Sequence, residues 1–223
     1  MRNFSPILPE LFSLRANYPT LTGRVEIAPS GLRETIPQFK LASMDEAVVT
    51  IRQAVLADAA EIARVYIESW HDTYAAILPK QLLCAMTIRG QTARWHCAIR
   101  AKSHERILVA EAGRRLVGMT SFGPARDCDL GFDSEVYTLY VDPPWFGLGI
   151  GRALLRAAFA SLEAKGHSSC IIWAHAKNNA RFFYETMGGR LTAERTARMM
   201  GDPVPETAFG WKTLALAERA HHE

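Results

Sequence analysis

The chain has 223 residues, 48% hydrophobic and 22% charged, with a mean hydropathy of -0.04; this excludes a disordered, collagen-like or membrane-spanning chain and leaves a globular one. Its formal charge is only +3, and within the first 43 residues Arg2, Arg15, Arg24, Arg33 and Lys40 already outnumber Glu10, Glu26 and Glu34. The remainder is nearly neutral, with no basic field to hold nucleic acid by counterion release.

Residues 1–43 contain Pro6, Pro9, Pro19, Pro29 and Pro37 and no sustained period. They read as a weakly ordered N-terminal extension or, because Met44-Asp45-Glu46 resembles a translation start, as an artefact of start-site choice. A domain is expected over 44–217, with a polar tail at 218–223. Residues 48–54 alternate β-branched and polar side chains and form a first strand. Asp58, with Glu61 three positions on, makes a capping box before Ile62, Val65, Tyr66 and Trp70 at helical spacing. Pro79 opens a second helical stretch carrying Leu82, Leu83, Met86 and Trp95. Residues 107–111 and 116–122 form a hairpin, and 135–141 a fourth strand. A helix over 152–165 repeats Leu154, Leu155, Ala158, Phe159 and Leu162 on one face and stops at Gly166. A strand at 170–174, a helix at 179–187 and two late strands near 190–194 and 208–213 complete the order β α α β β β α β α β β.

Cys84, Cys97, Cys128 and Cys170 lie 13, 31 and 42 positions apart, which suits neither a zinc site nor a dithiol, so no metal is expected. They read as reduced, mostly buried thiols. With no apolar run of signal or membrane-spanning length, the chain reads as cytoplasmic, without a membrane partner.

The strongest local signal is Phe146-Gly147-Leu148-Gly149-Ile150-Gly151, between a predicted strand and a predicted helix. Backbone N–H groups bared by glycine at a helix N-terminus favour phosphate oxygens, which implies a phosphorylated ligand; the bland alternative is a plain glycine turn. The segment is not a P-loop, because Arg152 and Ala153 follow Gly151 where Lys and Ser/Thr are needed. Nor do glycines at 147, 149 and 151 have dinucleotide-fingerprint spacing.

EVYTLYVDPPWFGLGIGRALLRAAF, residues 135–159, resembles the cofactor-binding motif of the GNAT N-acetyltransferase superfamily, and NNARFFYETMGG, residues 178–189, resembles its next motif. The resemblance covers about residues 47–215. It implies an α/β fold with a central mixed, mostly antiparallel sheet, splayed after the fourth strand and flanked by helices. It implies acetyl-CoA as cosubstrate, bound through Leu139, Tyr140 and Val141 of the splayed strand. Gly147, Leu148, Gly149, Ile150, Gly151 and Arg152 would hold the pyrophosphate, and Asn178 and Asn179 would add contacts from the second motif. The family pattern has Gln or Arg where this chain has Phe146, so one polar side chain near the phosphates is lost.

The implied reaction is acetyl transfer to a primary amine by direct attack in a ternary complex. Tyr184 stands where the family often places the proton donor to the departing thiolate; read from its neighbours alone it is a half-buried helix tyrosine. Glu135 either accepts a proton from the amine or is a solvated strand-end carboxylate. Trp70, His71, Asp72 and Tyr74 fall where the family lines its acceptor pocket and suit a cationic amine, with core packing and a solvated helix end as the alternatives. The acceptor is a small-molecule amine or a protein or peptide amine, and pairing of late strands between subunits makes a homodimer an expectation from the resemblance. The alternative function is a catalytically weak CoA-binding regulatory or interaction module, motivated by Phe146 and by Lys177, which stands where asparagine often opens the second motif.

Overall fold

A computed structural model describes residues 38–40, 48–78, 80–101, 104–127, 129–199 and 202–214; the extension over 1–37, Met44, Pro79, Cys128 and the tail at 218–223 lie outside these. The elements in chain order are β1 (Gln38–Lys40), β2 (Val48–Gln53), α1 (Ala59–Tyr74), α2 (Lys80–Cys84), α3 (Ile88–Arg100), β3 (Arg106–Ala112), β4 (Arg115–Pro124), β5 (Ser134–Val141), α4 (Ile150–Glu163), β6 (Cys170–His175), α5 (Ala180–Thr186), β7 (Arg190–Met199) and β8 (Asp202–Trp211). The central strands are apolar on both sides because both sides are covered. Leu108, Val117, Leu139 and Val141 pack with Ile150, Leu154, Leu155 and Ala158 of α4. Val109, Met119 and Tyr140 alternate to the opposite face and meet Ile62, Tyr66 and Trp95 of α1 and α3.

One sheet of eight strands results, in the order β1-β2-β3-β4-β5-β6-β8-β7. Every pairing is antiparallel except β5 with β6. That parallel pairing is short, joining 134–136 to 170–172. Immediately beyond it β4 advances one residue, from Phe122 to Ser121, while β5 advances two, from Val136 to Thr138, so Tyr137 is a bulge. A bulge bends its strand and raises the local twist. Past Tyr137, β5 runs on beside β4 alone, and β6 runs on to His175 beside β8 alone. The sheet therefore parts between β5 and β6, as the resemblance implies, and α1 bridges the opening, with Ser69 Oγ donating to the Val141 carbonyl at 2.7 Å.

Several expectations are corrected. The second helix divides because the Thr87 side chain accepts the Gly90 N–H at 3.1 Å and starts α3 anew. Asp58 makes no cap to α1. Its carboxylate turns back to the Val55 N–H at 2.7 Å and to Arg52 at 2.7 and 2.9 Å, a charged partner outbidding neutral amides. Cys84 and Cys97 are exposed, and only Cys170 of the described cysteines is buried, its thiol pushed up to about 12 by burial. The late strands are far longer than expected, with ten residues each.

Candidate active site

Where β5 ends, Asp142 is buried and ion-paired to Arg64 of α1 at 3.1 Å and to Arg115 of β4 at 2.8 Å. The strand terminus is thereby fixed against two neighbours before the turn at Pro143–Trp145 leads to the glycines. Gly147 and Gly149 sit at φ of +79° and +78°, the left-handed region, and a Cβ on either would meet no atom within 4 Å. Gly149 is the N-cap of α4, so the first amides of a 14-residue helix open onto space that no side chain fills. Arg152 lies in that first turn. Phe146, the departure from the family pattern, is half-buried against the main core.

Leu139, Tyr140 and Val141 line the parted stretch of β5 with fully buried side chains, so that what the strand offers to a ligand is its backbone. Trp70 and Tyr74, one helical turn apart on α1, reach this opening, their ring centroids 4.5 Å apart. Tyr74 meets the His175 ring edge-on at 6.1 Å and lies 3.4 Å from Asn178 Nδ2. The Trp70 indole N–H is buried and has no hydrogen-bond partner among the described residues, an orphaned donor at a place built to take a ligand. His71 and Asp72 lie on the exposed side of α1 and do not join this group. Asn178 is buried, and its Oδ1 accepts the N–H of Ala180 at 2.8 Å, starting α5; Asn179 is exposed.

Tyr184 is fully buried on α5, its ring among Phe183, Phe209 and Trp211 at centroid distances of 5.5 to 6.2 Å. Glu135, 2% exposed, is not the solvated carboxylate of the bland reading. Arg126 grips it, with Nε and the backbone N–H both on Oε2 at 3.1 Å and Nη2 on Oε1. Both oxygens are thus occupied by donors.

A cavity of about 310 Å³ opens beside the parted strands, lined by Ile77 and Leu78 after α1, His175 at the end of β6 and Lys177 beyond it, and residues 202–205 of β8. His175 stays neutral, because burial and then the Lys177 charge both lower its pKa. Its Nδ1 accepts the Lys177 N–H at 3.0 Å, which puts the ring proton on Nε2. Residues 202–205 and Glu206 lie ahead of the strand expected at 208–213, where Pro203 and Pro205 argue against a strand; carrying the period of two back from Ala208 reaches both Glu206 and Val204. No cluster of potential metal ligands occurs among the described residues. Among them, too, no helix is long and apolar enough to cross a membrane.

A sheet parted beside a glycine-capped helix leaves a strand edge and a set of helix-start amides open to an extended, anionic ligand. A family model described as an acetyltransferase (GNAT) domain matches residues 103–188. The uncharacterized N-acetyltransferase YuaI of Bacillus subtilis (strain 168) is 31% identical over 169 residues, covering 75% of this chain and 95% of that protein. Two solved structures share the fold: the PaiA N-acetyltransferase of Thermoplasma acidophilum in complex with coenzyme A, and yncA of Salmonella typhimurium with its cofactor acetyl-CoA. The first is 22% identical with a TM-score of 0.54, over 71% of this chain and 97% of that one. The second is 24% identical with a TM-score of 0.57, over 78% of this chain and 98% of that one. The chain belongs to the GNAT acetyltransferase family, whose acetyl donor is acetyl-CoA.

Proposed function

We propose that this chain transfers an acetyl group from acetyl-CoA to a primary amine by direct attack within a ternary complex. The observation that carries the reading is the parting of β5 from β6 after the Tyr137 bulge, with the Gly149-capped start of α4 beyond the end of β5. The bound donor supplies the thioester that is cleaved. Backbone groups of Leu139, Tyr140 and Val141 align its arm, and the amides of 147–151 with Arg152 hold its pyrophosphate. The 310 Å³ cavity seats a small amine or the first residue of a peptide, with Ile77, Leu78 and Val204 against its apolar part. Tyr184 gives the departing thiolate its proton. With both Glu135 oxygens held by Arg126, that carboxylate serves to anchor the loop before β5.

Calorimetric titration with acetyl-CoA, with NADH and ATP as controls, tests the donor site, and thiol release in the presence of primary amines tests the transfer. Micromolar binding of acetyl-CoA alone, with amine-dependent thiol release, is the expected result. Binding without release under any amine would reduce the chain to a CoA-binding module.

A further inference from the structure

Glu206 is a second buried carboxylate, adjoining the cavity through its neighbours. It is 1% exposed on β8, directly across from His175 of β6 and next in sequence to Pro205, both of which line the cavity. Val204, another lining residue, alternates to the same face of β8. The two acids differ in what is left over. Glu135 has donors on both oxygens, whereas Glu206 has one: Arg195 Nε binds Oε2 at 2.7 Å, and Oε1 is buried with no hydrogen-bond partner among the described residues. Arg195 is itself pinned, its guanidinium 3.7 Å from the centre of the Trp173 ring. Burial raises the Glu206 pKa more than Arg195 and then Arg126 lower it, and Glu135 raises it further. A buried acceptor lone pair costs free energy until something donates to it.

Resting on the transfer reading above, we propose that Glu206, through its unpartnered Oε1, takes the proton that the acceptor ammonium must lose before its nitrogen can attack. Of the other titratable groups lining the cavity, His175 carries its proton on the nitrogen not committed to Lys177, Lys177 is a cation, and Asp202 is an exposed carboxylate at the start of β8, whereas Glu206 is the buried one. The balance is simple. The ammonium gives its first proton to Oε1, which passes it to solvent after turnover. The freed lone pair bonds to the acetyl carbon as that carbon's bond to sulfur breaks, and the nitrogen's second proton matches the one taken up by the thiolate. The charged and titratable groups facing Glu206 are Arg195 on β7, His175 on β6, Glu135 on β5 and Arg126 before it.

The test compares two acceptors in thiol-release assays: n-butylamine, protonated at neutral pH, and hydroxylamine, whose nitrogen is then mostly unprotonated and needs no base. Glu206→Gln is expected to lower kcat with n-butylamine on the order of 100-fold, while kcat with hydroxylamine and the calorimetric affinity for acetyl-CoA change less than about threefold. Equal losses with both acceptors would mean a structural role and overturn the proposal. Arg195→Gln serves independently if the first variant does not fold: removing the cation moves the acid limb of the n-butylamine pH profile to higher pH, and an unmoved limb overturns the proposal. A wild-type chain that releases thiol with neither acceptor removes the transfer reading itself, and this inference with it.

Discussion

Replacing Arg126 by Met leaves Glu135 as a lone charge at 2% exposure, with its two side-chain donors gone and only the backbone N–H of residue 126 remaining. Breaking a buried pair by removing one partner costs about 3–5 kcal/mol. Because the Arg126 side chain keeps 37% of its own exposure, water already reaches one side of the pair. The cost is accordingly set at about 2–4 kcal/mol, which for a domain of this size is a Tm drop of about 5–15 °C. The double variant Arg126→Met/Glu135→Met buries no charge and is expected to recover most of that loss. Urea denaturation of wild type, both single variants and the double variant gives the coupling directly. The companion Glu135→Gln is expected to lower kcat less than about tenfold, below the usual contribution of a general base. A 100-fold loss in Glu135→Gln with unchanged Tm would refute the reasoning and return the proton-accepting role to Glu135.

Gly149→Ala places a Cβ at φ +78°, where it meets nothing within 4 Å, so the penalty is backbone strain of about 1–2 kcal/mol. Calorimetry should show acetyl-CoA affinity falling with it, whereas an unaltered affinity would remove the loop from the donor site. Tyr184→Phe is expected to slow turnover about tenfold or more with acetyl-CoA affinity retained, and an unchanged kcat would end its role as proton donor. For Asp58, burial raises the pKa, but Arg52 and the Val55 N–H overcome it and leave it lowered. The stability this contributes is present above an unfolded pKa of about 3.9 and lost as pH falls through the lower folded value. Asp58→Asn should therefore be less stable than wild type at pH 7 and converge with it at acid pH in urea titrations.

The βα order and the glycine-capped α4 were legible because each rests on local pattern: period two, period 3.6 and a turn that only glycine makes easily. The expected capping box at Asp58 failed for a nonlocal reason, since Arg52 reaches it from the neighbouring strand. Both late strands were placed, but the start of β8 was not, because Pro203 and Pro205 argue against a strand interior. The prolines are tolerated because β8 enters the ladder with β6 only from Glu206 onward; ahead of that it is paired with β7, and on the β6 side Pro205 is asked only for its carbonyl, which accepts the Ala176 N–H at 2.9 Å. That same misplaced boundary hid Glu206, the carboxylate with an oxygen to spare.

The deeper obstacle is that this site is made mostly of backbone. Tyr137 is a bulge not by its own character but because β4 and β5 fall out of step between 121–122 and 136–138. Nothing in the side-chain pattern of β5 registers that step. Yet the step ends the pairing with β6 after three residues and leaves the rest of the strand's polar groups on that edge facing an opening. Unpaired strand edges ordinarily invite association and are blunted by charge or proline. Here the buried rings of Trp70 and Tyr74 from α1 and of His175 from β6 stand in contact with one another beside the parting. A backbone edge recognises any chain that presents amides at the right spacing, so on the proposed reading the donor is selected by the opening, and selection among amines falls to the cavity formed by 77–78 and 202–205.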